Sequence, residues 1–363
     1  MELNLQGKIV PFVLEFKDQT ATLFNSSEKR VLHYSQGKDG SIDIPILGFD
    51  AAFKLKKINN TLSGYWIKFN RSPEYKLSIM GMKLAKPYTY LKEPLQNFPS
   101  KWQLTFDGDK KSNLLSFTNS ETSFHGSIIT QTGDYRFLTP KIKDNNLSLF
   151  GFDGAYAFFI EAKRINDKLQ GTLYSGLSYN KKFTAQANKD FKLKDPEQIT
   201  SYDGDITKLN FKTLSGEDYQ LSDDNGKVRV LQIFGSWCPN CIDETAFINN
   251  WKKRNKNLNV HFSLIAFERS PDKKHALKQL KKAKDNYGIN YPILIGGYTK
   301  KDKVKSILPG LENFISFPTT IYIDKQGKVR KILASFQGPA TGQYYNEFSR
   351  NFDLFLKKLA QEE

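Results

Sequence analysis

The run Val228-Arg229-Val230-Leu231-Gln232-Ile233-Phe234 leads directly into Gly235-Ser236-Trp237-Cys238-Pro239-Asn240-Cys241. The first seven residues have the length and apolar, β-branched character of a buried strand. From Ile242 through Trp251 the apolar residues recur at helical spacing. A strand-to-helix turn therefore carries both cysteines, separated by two residues. Pro239 suits the first helical turn, where a missing N–H is no loss. Cys238 falls where free backbone amides and the positive end of the helix dipole favour a thiolate. Cys241, one turn further, is placed to resolve a mixed disulfide by attacking Cys238.

The same alternation continues downstream. Val260 to Phe267 reads as a strand, and Ala276, Leu277, Leu280, Ala283 and Tyr287 space a helix over 273–287. Tyr291 to Ile295 and Thr319 to Ile323 read as further strands, Asp324-Lys325-Gln326-Gly327 as a hairpin turn, and Phe348 to Leu359 as a closing helix. Strands alternating with helices imply a mostly parallel sheet covered on both faces.

Upstream the pattern is different. Runs such as Ile9 to Phe16 and Ala21 to Phe24 are short, and turn residues such as Lys38-Asp39-Gly40 separate them. This spacing implies an all-β sandwich or barrel. Gly48-Phe49-Asp50-Ala51-Ala52-Phe53 returns 103 residues later as Gly151-Phe152-Asp153-Gly154-Ala155-Tyr156. Lys57-Ile58-Asn59-Asn60-Thr61-Leu62-Ser63-Gly64 returns 107 residues later as Arg164-Ile165-Asn166-Asp167-Lys168-Leu169-Gln170-Gly171. Two copies of so long a unit are a duplication, not a solenoid. The expected layout is therefore multidomain. An all-β region over 1–195, with related halves of about 1–96 and 97–192, precedes an α/β domain over 199–363. A polar, charged linker over 189–204 joins them.

Composition narrows the function. At 363 residues, roughly two or three domains fit, and 39% hydrophobic with 25% charged residues is globular. The excess of 54 basic over 38 acidic residues, +16, favours acidic partners or an anionic surface. The lysines of 273–284 read as the solvated face of a helix and the upstream aromatics as sheet core, so no nucleic-acid partner is expected. The longest apolar runs are strand-sized, short of the ~20 residues of a spanning helix. The N-terminus shows no basic segment followed by an apolar one, so no export signal is read there.

Two cysteines exclude a disulfide scaffold and a four-cysteine zinc site. His33, His125, His261 and His275 are isolated, so no metal site is expected. A structural disulfide across so short a loop would constrain little chain entropy. Redox exchange remains, with no cofactor beyond a redox-active Cys238–Cys241 disulfide. Residues 199–363 resemble the thioredoxin-like domain of TlpA/ResA-like thiol-disulfide oxidoreductases of the bacterial envelope. The resemblance rests on Phe211, Leu214-Ser215-Gly216, Leu221, Gly226-Lys227-Val228, Trp237 through Cys241, Glu244, Phe317-Pro318-Thr319-Thr320 and Ile323 through Gly327. Residues 1–195 are similar to the β-rich N-terminal region of some TlpA-like proteins.

The resemblance implies a cis Pro318 facing the dithiol, with Phe317 presenting its backbone to an extended substrate strand. It implies that Glu244, one turn beyond Cys241, tunes cysteine ionisation and moves protons. Trp237 is expected to pack over Cys238, and Trp237, Pro239, Asn240, Phe317 and Thr319 to meet substrate. Thr245-Ala246-Phe247 departs from the family's residue-Pro step, leaving the bend of the first helix open. The partners implied are proteins with cysteines or disulfides and an upstream thiol-disulfide electron donor, in the periplasm or cell envelope. Peripheral membrane association is compatible with the charge, and no oligomeric state is indicated. The absence of His between the cysteines leans toward a reductase. A thiol peroxidase of the same superfamily is the enzymatic alternative, but Gly235 and Leu231 stand where its Thr or Ser and its Pro are required. An envelope-binding module with an accessory redox domain is the third reading.

Overall fold

The computed structural model describes residues 1–46, 48–69, 75–85, 98–119 and 124–362. They divide into two compact units, one of residues 1–130 with 135–193 and one of residues 131–134 with 194–363. The expected boundary between β halves at residues 96 and 97 lies outside the described residues.

Among the described residues, the first unit is built from antiparallel sheets. One runs from an edge strand Lys8–Pro11 to Ser35–Gln36, and another includes Lys101–Phe106, Ala157–Ile165 and Lys168–Ser175. The expected strand Ile9 to Phe16 is two strands in different sheets. Lys8–Pro11 pairs with Glu2–Leu5, while Val13–Lys17 pairs with Thr20–Asn25. Pro11, which has no N–H to give a ladder, is tolerated because its strand is at an edge.

The duplication is visible as two equivalent hairpins. Ala51–Ile58 pairs with Thr61–Lys68, and Ala157–Ile165 pairs with Lys168–Ser175. Both turns open on an asparagine with positive φ, Asn59 at 54° and Asn166 at 55°, the residue type that tolerates this region best after glycine. The repeated glycines have a steric cause. A Cβ on Gly64 would lie 2.1 Å from the Lys54 carbonyl oxygen, and one on Gly171 would lie 2.4 Å from that of Glu161. Trp66 and Trp102 are fully buried, as expected of sheet-core aromatics.

In the second unit, β1 (Val228–Phe234), β2 (Val260–Glu268), β3 (Ile293–Tyr298), β4 (Thr319–Ile323) and β5 (Val329–Leu333) form one sheet in the order 3-2-1-4-5. The helices are α1 (Pro239–Arg254), α2 (Lys273–Asn286), α3 (Lys301–Ile307) and α4 (Gln343–Gln361). This is the expected thioredoxin-like fold, but the sheet is mixed rather than mostly parallel. β1 and β3 run parallel to β2, whereas β4 is antiparallel to both β1 and β5. The crossovers through α1 and α2 enforce parallel pairs. The Asp324–Gly327 turn, in which Asp324 Oδ1 accepts from the amides of Gln326 and Lys328, reverses the chain into β5.

Alternation along the strands divides the core. Leu231 and Ile233 of β1, Ile265 and Phe267 of β2, and Ile321 and Ile323 of β4 pack with Val304 and Leu308. On the other face α1 and α4 meet through rings, with Phe247–Phe352 centroids 4.9 Å apart, Trp251–Phe352 5.5 Å and Tyr322–Phe352 5.8 Å. Gln232 and Thr320, paired across β1 and β4, are among the polar residues buried in the sheet. The lysines of α2 are mostly exposed, while Leu280 and Ala283 are buried. The segment read as a linker is partly ordered structure: Ser201–Tyr202 pairs with Leu311–Glu312. No helix among the described residues is long and apolar enough to cross a membrane.

Gly171→Ala should lower stability by roughly 1–3 kcal/mol, because backbone rather than a flexible side chain blocks the new methyl. Urea unfolding of the full chain measures this; an unchanged midpoint would show that the hairpin accommodates a Cβ.

Candidate functional site: a buried dithiol at a helix N-terminus

Cys238 is the N-cap of α1, with extended backbone (φ −102°, ψ 109°) and Pro239 at the first helical position. Its Sγ accepts the Cys241 backbone N–H at 3.2 Å, replacing an acceptor that the first turn of a helix lacks. The Cys238 thiol also donates to the Phe317 carbonyl oxygen at 3.5 Å. That carbonyl belongs to the Phe317–Pro318 peptide, which is cis. The two segments meet at the Cys238 sulfur. Cys238 is 5% exposed and Cys241 not at all, and burial pushes the Cys241 thiol well up. One sulfur is thus at the surface end of the turn, held by an N–H, and the other is buried as a thiol.

Glu244 is on α1 with only 1% of its surface exposed. Its Oε1 accepts from Thr320 Oγ1 at 2.7 Å and its Oε2 from Gln232 Nε2 at 2.6 Å. Gln232 also donates to the Cys241 carbonyl at 3.2 Å and accepts from Thr245 Oγ1 at 3.1 Å. Burial raises the carboxyl from 4.5 to about 7, with the Thr320 and Gln232 hydrogen bonds opposing it. The negative charge of Glu244 in turn helps to push Cys241 up. Gln232 and Thr320 were not singled out from sequence. Their signal was there, as polar residues inside otherwise apolar strands. α1 runs unbroken through Thr245-Ala246-Phe247: Thr245 turns its hydroxyl to Gln232, Phe247 enters the ring cluster and Ala246 faces solvent.

A second buried carboxylate, Glu268 at the end of β2, was also missed. Its oxygens accept the Ser236 N–H at 2.9 Å and the Ser236 hydroxyl at 2.8 Å, anchoring the turn ahead of Cys238. Burial raises it from 4.5 to about 7. An acid closing the apolar run Leu264 to Phe267 was its only mark in the sequence. Trp237 donates Nε1–H to the Phe267 carbonyl at 3.0 Å, meets the Phe317 ring edge-on at 5.3 Å and carries the Arg269 guanidinium 4.2 Å from its ring. Trp237 and Phe317 are both partly exposed and form an aromatic rim beside Cys238.

The remaining expected contact residues are placed differently. Thr319 is fully buried and its hydroxyl donates to the Ser316 carbonyl at 2.9 Å, so its side chain stabilises the loop and cannot meet substrate. The reason is register: Thr319 is the first residue of β4, paired with Ile233 inside the sheet. Pro239 is buried in the first turn. Asn240 Nδ2 donates to Asp134 Oδ2 at 3.1 Å and approaches the Phe336 carbonyl at 3.5 Å. Among the described residues no group of three or more His, Cys, Asp or Glu is arranged to hold a metal ion.

The fold is thus that of a thioredoxin-like domain that carries a buried dithiol at the start of α1. Comparison with known proteins agrees. Residues 185–342 match the Redoxin family profile. The thioredoxin-like protein YneN of Bacillus subtilis is 29% identical over 126 residues, 34% of this chain and 66% of that protein. The thiol-disulfide oxidoreductase ResA of Geobacillus kaustophilus is 29% identical over 120 residues, 33% of this chain and 62% of that one. The chain thus spans somewhat less than two thirds of the length of these two relatives. A thioredoxin-family thiol:disulfide interchange protein from Chlorobium tepidum aligns structurally at 20% identity and a TM-score of 0.33, covering 44% of this chain and 99% of that one. The Redoxin match and the two sequence relatives carry the resemblance to TlpA/ResA-like thiol-disulfide oxidoreductases, and the matched residues 185–342 lie mostly in the second unit.

Both buried carboxyls bind a proton more firmly when folded than at the unfolded value of 4.5. Their favourable contribution is complete below about pH 4.5 and is lost as pH rises through about 7. Each is worth up to roughly 3 kcal/mol across that window. Urea unfolding of the dithiol form should show stability falling between pH 4.5 and 8, with Glu244→Gln and Glu268→Gln each flattening part of the slope. Equal slopes in wild type and both variants would mean these carboxyls are not buried as described.

Proposed function

We propose that the protein is a thiol-disulfide oxidoreductase that exchanges disulfides with cysteines of other proteins. The observation that carries this reading is the meeting of the Cys238 thiol, the Cys241 N–H and the Phe317 carbonyl before a cis proline. In the reducing direction, the Cys238 thiolate attacks one sulfur of a substrate disulfide. A Cys238–substrate disulfide forms and the first substrate thiolate leaves. Cys241 then loses its proton and attacks Cys238 Sγ. The second substrate thiol is released, and the Cys238–Cys241 disulfide holds the oxidised equivalent of the two electrons now on the substrate. No further cofactor enters these steps.

Glu244 supplies the base. Above about pH 7 its carboxylate accepts the proton that the buried Cys241 must shed, and below it the neutral acid returns one. Phe317 offers its backbone to an extended substrate segment, and Trp237 and Phe317 offer the rim on which that segment lies. The reductase direction is supported by the sequence between the cysteines, which holds no histidine. Sustained turnover in that direction requires an upstream thiol-disulfide donor that returns the pair to dithiol. The proposed setting is the periplasm or cell envelope, where protein disulfides persist.

Trapping tests the roles of the two sulfurs. Cys241→Ser should accumulate mixed disulfides with envelope proteins, and Cys238→Ser should accumulate none; the reverse pattern would exchange the roles, and no adducts on either would sink the function. Glu244→Gln should slow reduction of a protein disulfide by about tenfold or more and remove the inflection near pH 7 from the rate profile.

A further inference from the structure

Asp134 lies 106 residues before Asn240 in the chain, yet its carboxylate is part of the surroundings of the dithiol turn. It is 7% exposed. Its Oδ2 accepts from Asn240 Nδ2 at 3.1 Å and from the Gly338 backbone N–H at 2.8 Å. Asn240 is one of the two residues between the cysteines. Gly338 is the N-cap of the short helical turn Pro339–Thr341 that precedes α4. One carboxylate oxygen thus joins the loop between the cysteines to the chain segment entering α4. The neighbouring Gly133 makes the approach possible: at φ +132°, a Cβ there would lie 2.9 Å from Asn240 Nδ2. A buried carboxylate oxygen that accepts two N–H groups is a firm anchor, because freeing either donor would leave a buried polar group unpaired.

We infer that Asp134 is a positioning residue for the redox pair: it pins the Asn240 side chain between the cysteines and thereby sets the balance between dithiol and disulfide. The inference rests on the exchange function proposed above. A pinned turn keeps the two sulfurs pre-organised to bond, which favours the disulfide. The negative charge close to the turn acts in the same sense, because it disfavours thiolate. Removing Asp134 therefore shifts the pair toward the dithiol on both counts, making it a weaker reductant. Residues 131–134, from the β-rich half of the sequence, are in this reading part of the redox centre.

The test is equilibration of the full-length protein with glutathione buffers, read as the fraction of Cys238–Cys241 disulfide by mass spectrometry after acid quench. Asp134→Ala should move the equilibrium toward dithiol by about tenfold, equivalent to about 30 mV for this two-electron couple. Asn240→Ala should move it the same way. Asp134→Asn keeps an oxygen acceptor for both donors while losing the charge, so it should shift by less than Asp134→Ala. The Asp134→Ala, Asn240→Ala double variant should shift no further than Asp134→Ala alone, since one residue acts through the other. Wild-type values for both single alanine variants, or strictly additive shifts, would overturn the inference. If Asp134→Ala does not fold, wild-type values for both Asp134→Asn and Asn240→Ala overturn it equally. A wild-type pair that never forms a reversible disulfide would overturn the exchange function itself, and this inference with it.

Discussion

The constraint on which the site depends is the turn at which β1 ends and α1 begins. A helix start leaves N–H groups without acceptors. Here the Cys238 sulfur takes one of them, from Cys241, so the residue that caps the helix is also the first cysteine of the pair. Moving Cys238 by one position would abandon the cap, and moving Cys241 by one would turn the second sulfur away from the first. The opposite wall follows from β4, whose first residue is preceded by the cis Phe317–Pro318 bond and whose pairing with β1 brings the Phe317 carbonyl to Cys238. The parallel and antiparallel sides of β1 thus each contribute one part. Glu268 at the end of β2 fixes the turn through Ser236, and β4 supplies the facing carbonyl.

Beneath that surface the chemistry is governed by burial. Cys241 is completely enclosed, which keeps it a thiol until a base is available. The base proposed for it, Glu244, is enclosed as well, and two neutral donors, Gln232 and Thr320, satisfy its oxygens without a cation. A cation would have pulled its pKa down. Neutral donors leave desolvation dominant, so the carboxyl titrates at about 7, where it can both take and return a proton. Gln232 bonds to Glu244 and to the Cys241 carbonyl together, tying the carboxyl to the backbone of the second cysteine.

Much of this was legible in the sequence, for identifiable reasons. β1 is a mostly apolar, β-branched run bounded by a glycine, and α1 opens on a proline; both are local signals that tertiary structure did not override. α2 was readable because its apolar residues keep helical spacing among lysines. α3 was missed because Lys301–Ile307 is short and rich in lysine, and β5 because its alternation is brief. α4 begins at Gln343, five residues before the expected Phe348, since its first turn carries little apolar signal. The mixed sheet was misread because pattern alone does not report the direction in which β4 enters. At the site, Cys238, Cys241, Glu244 and Pro318 could be singled out. Gln232 and Thr320 showed only as polar residues in apolar strands, Glu268 only as an acid closing one, and Asp134 not at all, because their partners are fixed by the fold, from 12 residues away for Gln232–Glu244 to 106 for Asp134–Asn240. Thr319, expected among the contact residues, is buried for a local reason: its hydroxyl bonds to the Ser316 carbonyl three residues back and its side chain follows the register of β4.

The central claim is that Cys238 attacks and Cys241 resolves. It is tested most directly by mixing the fully reduced wild-type protein and Cys241→Ser with oxidised glutathione and recording intact masses over time. The account predicts that wild type passes through a transient adduct of one glutathione and ends as an internal disulfide, two hydrogens lighter and free of glutathione. Cys241→Ser should stop at the stable one-glutathione adduct, mapped to Cys238. A wild-type protein that retains glutathione, or a variant that takes none up, would contradict it.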